Sequence, residues 1–400
     1  MGKLVDGEWH DVWYPTDDGH FHREDSSFHG AVTADGASAF PAAAGRYHLY
    51  VSWACPWAHR TLVMRVRKGL QHVISYSSVA PLMLENGWEF DADWPDPLRN
   101  SRYLHELYTA VRPDYTGRVT VPVLWDTVGE TIVNNESSEI LRIMNSGFDG
   151  LADVRHDFYP DALRDEIDAL NAEVYDHVNN GVYRCGFATT QEAYEEAFEA
   201  LFTTLDRLER RLEGREWLVG ERETEADWRL FTTLVRFDAV YHYHFKCNLR
   251  RLRDYPRLWA FTKRLYGLPG IADTVDIAYI KKHYFGSHKT INPHGIVPVG
   301  PQLDFGSALK PESGSASESE SGSESGSGSE SASGSESASE SESASGRGRS
   351  RPRSRPRARS RPRSRPRSRP RARSRPRSRP RSRARSRSPR ETRSALPRPA

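Results

Sequence analysis

The chain has 400 residues, 37% hydrophobic and 28% charged, with 57 Lys and Arg against 54 Asp and Glu. Its three scattered cysteines, Cys55, Cys185 and Cys247, exclude a disulfide framework and point to a reducing, cytoplasmic setting. No apolar run is long enough for a transmembrane helix and the N-terminus lacks a signal-peptide core, so neither membrane insertion nor secretion is expected.

The net charge of +3 averages three unlike blocks. Residues 1–310 carry 33 basic and 45 acidic residues with only eight lysines; 311–346 is a Ser/Glu/Gly/Ala repeat with eight Glu; 347–400 is mostly Arg, Ser and Pro, with 24 Arg and one Glu. An acidic body poor in lysine is the composition expected of a halophile's protein, where a carboxylate-rich surface maintains solubility in salt. Neither tail block can build a core, so 311–400 is expected to be disordered and the folded part to end near residue 305.

Along the chain, residues 1–43 read as an N-terminal arm, polar and aromatic with many turn formers. Residues 44–150 read as a small α/β domain. It opens with a strand at 47–52, a helix at 57–69 and a strand at 72–78, followed by a long insertion rich in Trp, Asp and Pro. An antiparallel pair, 119–125 and 130–133, is joined through Asp126 to Gly129, and a helix follows at about 137–146. Pro122 interrupts the β-branched run Val119-Thr120-Val121; it reads either as a cis turn that exposes the Val121 backbone or as an edge-strand proline. Residues 155–290 read as all-helical, with helices at 161–179, 190–213, 225–244, 255–267 and 269–283, and 291–310 as an extension. Thr224 with Asp227 three residues later forms a capping box ahead of Trp228, Leu230 and Phe231.

The segment Cys55-Pro56-Trp57-Ala58 stands between the first strand and the first helix. A cysteine there meets unpaired N–H groups and the positive end of the helix, which favour a thiolate, and Pro56 fits a first turn where its missing N–H is not needed. Ala58 occupies the place of the second thiol in a CxxC redox pair. Cys55 therefore cannot close a local disulfide and has to work with an external thiol.

These features, with Trp13-Tyr14-Pro15-Thr16, Gly87-Trp88, the run Gly117 to Asp126, Val133-Asn134-Asn135-Glu136-Ser137-Ser138-Glu139-Ile140, Asn180-Gly181-Val182-Tyr183, Arg236-Phe237-Asp238-Ala239-Val240-Tyr241, His244 to Asn248 and His283-Tyr284, resemble the glutathionyl-hydroquinone reductases, or Xi-class glutathione transferases. The resemblance spans most of residues 10–290. It implies a thioredoxin-like N-terminal domain plus an all-α C-terminal domain, and a homodimer joined through the helical halves. It further implies Cys55 as nucleophile, Tyr183 as proton donor, and Tyr241 and Tyr284 as hydroxyls that approach the sulfur and favour its thiolate. Trp88, Arg118, Val119, Thr120, Val121, Glu136 and Ser137 are implied to hold the thiol. Glutathione or a related γ-glutamyl thiol is the expected co-substrate and a quinone-derived thioether the expected substrate, with no tightly bound cofactor. A broader Cys-type transferase with thioltransferase or dehydroascorbate reductase activity, and a non-catalytic scaffold, are the alternatives.

The histidines His242, His244, His283, His288 and His294 have no carboxylate or cysteine at metal-ligand spacing, so no metal is expected. The Arg-rich block admits two readings. It would bind nucleic-acid phosphates without sequence preference. Alternatively, GC-rich codons for Ser-Glu, Ser-Ala and Ser-Gly, read one nucleotide later, give Arg-Ser, Arg-Pro and Arg-Ala, so the block is a frameshifted continuation of the acidic repeat.

Overall fold

A computed structural model describes residues 2–16 and 18–306; the expected tail, 311–400, lies outside the described residues. The arm opens with a hairpin of β1 (Lys3–Val5) and β2 (Glu8–His10), turned at Asp6 and Gly7 with φ of 49° and 82°. Two short strands, β3 (Val32–Thr33) and β4 (Phe40–Pro41), pair with each other before β5 (Tyr47–Val51) and α1 (Pro56–Arg67). Then follow β6 (Ile74–Ser78), β7 (Met83–Leu84), β8 (Gly87–Trp88), α2 (His105–Val111), β9 (Gly117–Arg118), β10 (Val123–Asp126), β11 (Thr131–Asn134) and α3 (Ser137–Arg142).

The main sheet has the order β11-β10-β5-β6, with β5 parallel to β6 and the other pairs antiparallel. Every residue of β5 is buried, which explains why its sequence reads as a continuous apolar run without alternation. The run expected as one strand at 119–125 is divided. Gly117 and Arg118 pair with β1 in the arm, and only Val123–Asp126 joins the sheet, because the Val121–Pro122 peptide is cis and turns the chain between them.

The second half contains α4 (Arg164–Val174), α5 (Gly181–Phe187), α6 (Gln191–Arg211), α7 (Glu225–Arg236), α8 (His242–His244), α9 (Pro256–Tyr266) and α10 (Ile277–Ser287). Asp227 accepts from the Thr224 N–H at 2.8 Å, closing the expected capping box of α7. The helices expected over 161–179 and 225–244 are each interrupted by a π-turn, Tyr175–Asn179 and Phe237–Tyr241. The last helix begins at Ile277, eight residues later than expected. Pro269 and Gly270 stand in a turn, a 3-10 turn follows at Ala272–Thr274, and the Asp276 carboxylate caps the true start by accepting from the Tyr279 N–H at 2.8 Å.

Candidate active site

Cys55 is the N-cap of α1. The turn that presents it is closed by the Cys55 N–H donating to Ser52 O at 3.0 Å, and its sulfur accepts from the Ala58 N–H at 3.5 Å. The thiol in turn points at the Val121 carbonyl, 3.6 Å away. Burial raises the Cys55 thiol above its ordinary value; the Ala58 N–H, the Arg23 charge, the Trp57 N–H and the Arg236 charge pull it down without prevailing. The lowering expected from the helix N-terminus is thus outweighed by burial in this state.

Tyr183 comes from α5, Tyr241 from the π-turn after α7, and Tyr284 from α10. The Tyr284 hydroxyl stands 2.5 Å from that of Tyr183 and 3.1 Å from that of Tyr241. The three hydroxyls therefore satisfy one another, and among the described residues none is hydrogen-bonded to the Cys55 sulfur. Burial pushes all three well above the ordinary tyrosine value, so they are protonated donors at neutral pH. Tyr241 is wholly buried, while Tyr183 and Tyr284 border the cleft.

Cys55 lies where two hollows meet. One is aromatic, lined by Tyr14, Trp57, Met83, Trp88, Tyr183, His283, Tyr284 and His288 together with the run Arg118–Val121. The other is polar, lined by Asp25, Ser26, Pro122, Asn135, Glu136, Ser137 and Tyr175. Arg23, Cys55, Trp57, Thr120 and Val121 belong to both. A wider hollow bordered by Trp13, Phe187, Tyr243, Lys246 and Phe285 holds no cysteine.

Of the expected thiol-binding residues, Trp88, Val119, Thr120 and Val121 line the aromatic hollow and Glu136 and Ser137 the polar one. Trp88 stacks on His283 with centroids 5.1 Å apart. Tyr108 fixes the Thr120 backbone, its hydroxyl donating to Thr120 O at 2.8 Å. Glu136 caps α3, accepting from the Ser138 N–H at 2.9 Å. Burial works to raise the Glu136 carboxyl, but the Ser138 N–H and hydroxyl, the Arg60 charge and the Ser26 hydroxyl outweigh it, so Glu136 is held below the ordinary carboxylate value. Arg118 is different. Its guanidinium turns to the arm, donating to Glu24 at 2.9 Å and to the carbonyls of Val12 and Trp13 at 2.7 and 3.1 Å, and it lies over the Tyr14 ring. Its side chain anchors the arm, and the residue also lines the aromatic hollow.

Several residues at the site escaped the sequence reading. Arg236 is wholly buried; it donates from Nε to Ala54 O at 2.9 Å and from its terminal nitrogens to Trp53 O at 2.8 Å, Thr232 O at 2.6 Å and His59 Nδ1 at 2.9 Å. His59 accepts at Nδ1 and so donates from Nε2 to Thr274 Oγ1 at 2.8 Å; burial, aided by the Arg236 charge, holds it neutral. Arg60, also buried, reaches Asn179 at 2.6 Å and Ser137 at 3.4 Å. Arg236 heads the segment Arg236-Phe237-Asp238-Ala239-Val240-Tyr241 that carries part of the resemblance, and that place was a signal that could have drawn attention to it. Among the described residues no group of three or more His, Cys, Asp or Glu is arranged to hold a metal ion, and no helix is long and apolar enough to cross a membrane. His244 instead pairs with His288 at 3.0 Å.

The glutathione S-transferase N-terminal domain family matches residues 54–146 and the glutathione S-transferase C-terminal domain family residues 191–264. The glutathionyl-hydroquinone reductase PcpF of Sphingobium chlorophenolicum is 56% identical over 306 residues, covering 75% of this chain and 96% of that protein. The glutathionyl-hydroquinone reductase YqjG of Escherichia coli is 54% identical, covering 76% and 96%. Among solved structures, glutathione-bound YqjG superposes with a TM-score of 0.70 at 52% identity, covering 76% of this chain and 96% of that one. A Xi-class transferase from Natrialba magadii superposes with a TM-score of 0.73 at 48% identity, covering 76% and 95%. This chain therefore belongs to the glutathionyl-hydroquinone reductases, the Xi class of the glutathione transferase superfamily, and is an oxidoreductase of that family.

Proposed function

We propose that the protein removes glutathione, or a related γ-glutamyl thiol, from glutathionyl-hydroquinones through a mixed disulfide on Cys55. The observation that carries this reading is a lone cysteine at a helix N-terminus, at the meeting point of a polar and an aromatic hollow. The tripeptide fits the polar side. Glu136 would accept from the γ-glutamyl ammonium, Ser137 would donate to its carboxylate, and the Val121 backbone would pair with the cysteinyl amide as an added strand does. The aromatic ring would lie between Trp57, Trp88, Tyr183 and Tyr284.

Once Cys55 is ionised, its sulfur attacks the glutathionyl sulfur. The aryl carbon–sulfur bond breaks, the electron pair stays with the ring, and Tyr183 delivers the proton that completes the hydroquinone. A second thiol molecule then attacks the mixed disulfide, releasing oxidised glutathione and restoring Cys55. The thiols supply both electrons. With the thiol donating to the Val121 carbonyl before substrate arrives, arrival of the cysteinyl amide at Val121 would take over that carbonyl and free the sulfur to ionise.

Tyr243 and Leu249 of the helical half are exposed apolar side chains, which supports a homodimer through that half, and light scattering of the purified protein tests it. The catalytic reading is tested by supplying a glutathionyl-hydroquinone with excess glutathione to the wild type and to Cys55→Ala, following hydroquinone and oxidised glutathione. Turnover by the wild type alone supports it; equal release by Cys55→Ala refutes it. Dehydroascorbate and a small dialkyl disulfide as parallel substrates separate this activity from the broader thioltransferase.

A further inference from the structure

Arg23 reaches the site from the arm, and the arm is built into the wall of the cleft. Glu24 is held by Arg118 at 2.9 Å, Ser26 donates to Glu136 at 3.1 Å, and the N–H groups of Ser27 and Phe28 donate to Asn135 Oδ1 at 3.2 and 3.0 Å. From this support the Arg23 guanidinium lies 3.8 Å from the centroid of the Trp57 ring and 5.5 Å from that of Tyr183. Its Nε donates to Asn180 Oδ1 at 3.3 Å. Its two terminal nitrogens have no acceptor among the described residues, although Glu24 and Asp25 adjoin it in sequence. A half-buried cation stacked on aromatic faces, with unclaimed donors in a cleft shared with the nucleophile, is prepared for an anion supplied by a ligand.

We propose that Arg23 is a catalytic residue that binds the ring oxygen of the departing hydroquinone as it gains negative charge. This inference rests on the reaction proposed above. Protonation of the sulfur-bearing ring carbon by Tyr183, with loss of one hydroxyl proton to solvent, gives the keto tautomer. When its carbon–sulfur bond then breaks, the electron pair enters the ring π system and the carbonyl oxygen becomes the hydroquinone oxyanion, which takes up a proton on release, while the Cys55 thiolate is oxidised to the mixed disulfide. The tyrosine hydroxyls beside the ring are neutral donors, whereas Arg23 brings a full charge in an aromatic enclosure, where such a donor stabilises an oxyanion more than it would in water. Arg23 and Trp57 line both hollows, and the approach of the guanidinium to Tyr183, which lines only the aromatic one, brings it within reach of the ring. The γ-glutamyl end has its own partners in Glu136 and Ser137. Arg23 therefore lets the enzyme use weakly acidic hydroquinones, whose oxyanions are the least stable unaided.

The test compares the full-length wild type with Arg23→Gln and Arg23→Lys on glutathionyl conjugates of hydroquinones graded in hydroxyl acidity, from halogenated to alkylated, with glutathione varied. In Arg23→Gln, kcat should fall about 100-fold for the least acidic hydroquinone and less than about 10-fold for the most acidic, with KM for glutathione within about 3-fold of wild type. Arg23→Lys should recover part of the loss across the series. Thermal unfolding and far-UV circular dichroism, both unchanged, show that each variant is folded. A loss uniform across the series, or one confined to KM for glutathione, overturns the proposal and leaves the reaction intact. A wild type that releases no hydroquinone instead overturns the reaction itself, and this inference with it.

Discussion

Replacing Tyr284 by Phe isolates the hydroxyl at the centre of the tyrosine cluster. It removes the hydrogen bonds of 2.5 Å to Tyr183 and 3.1 Å to Tyr241 without altering ring packing. Tyr241 is wholly buried, so its abandoned hydroxyl should cost about 1–3 kcal/mol, whereas Tyr183 borders the cleft and can turn to water. A net loss of about 2–3 kcal/mol, set against an unfolding entropy of roughly 0.6 kcal/mol/K for a folded part of this size, lowers Tm by about 3–5 °C. In turnover, Tyr183 keeps its proton but loses the neighbour that orients it. We expect kcat to fall about 10-fold, near 1.4 kcal/mol of barrier, against about 100-fold or more for Tyr183→Phe. Because neither Tyr284 nor Tyr241 is hydrogen-bonded to sulfur, the pH dependence of Cys55 alkylation should not move. Differential scanning fluorimetry, steady-state kinetics and iodoacetamide alkylation as a function of pH measure the three effects. If Tyr284→Phe moves the thiol titration upward by a full unit, the hydroxyl stabilises the thiolate directly and the reasoning fails; an unchanged Tm would refute the energetic part.

Three further outcomes follow from the same geometry. Because burial raises the Cys55 thiol in the free enzyme, its alkylation without glutathione should climb with pH toward the alkaline range, while the buried Cys185 and Cys247 stay unmodified; a plateau reached below neutrality in the free enzyme would contradict this. Glu136→Gln should raise KM for glutathione about 10- to 100-fold with kcat little changed, the loss of one charge-assisted hydrogen bond. Since the Glu136 carboxyl is held below its ordinary value of 4.5, its contribution to stability is present above that pH and is lost only as pH falls through the depressed value; an Arg-independent decline in thiol affinity already between about pH 7 and pH 5 would argue against this assignment. Truncation after residue 310 should leave turnover unchanged and abolish any nucleic-acid binding, measured by gel shift, and the nucleotide sequence across codons 340–352 should carry the shifted Ser-Xaa repeat if the Arg block is a frameshift product.

The strand before Cys55, the helix after it and the switch to helices beyond residue 160 were legible because each is a local pattern: an apolar run, a proline at a first turn, a 3.6-residue period. Where the chain departs from a single period, the reading lost detail. The insertion hides α2, α5 falls between two expected helices, and the π-turns are invisible because their flanking periodicity continues. The resemblance named the three tyrosines, but that they bond to one another instead of to sulfur depends on where three separate helices meet. Arg23 and Arg236 were missed for the same physical reason. Their partners stand far away in sequence, Asn180 for the first and Trp53 and Ala54 for the second, and no local pattern encodes a contact over such distances.

Arg236 bears on how proteins of this design can be recombined. It belongs to a helix of the second half, yet its donors occupy the carbonyls of the two residues that precede the nucleophile in the first. A hybrid that keeps residues 44–150 but takes its helices from a transferase lacking an arginine at this place would leave those carbonyls facing a void, and the cysteine would sit on a loop without its brace. Cys55 is encoded in one half and aimed by the other, so the two can be exchanged between relatives only as a matched pair.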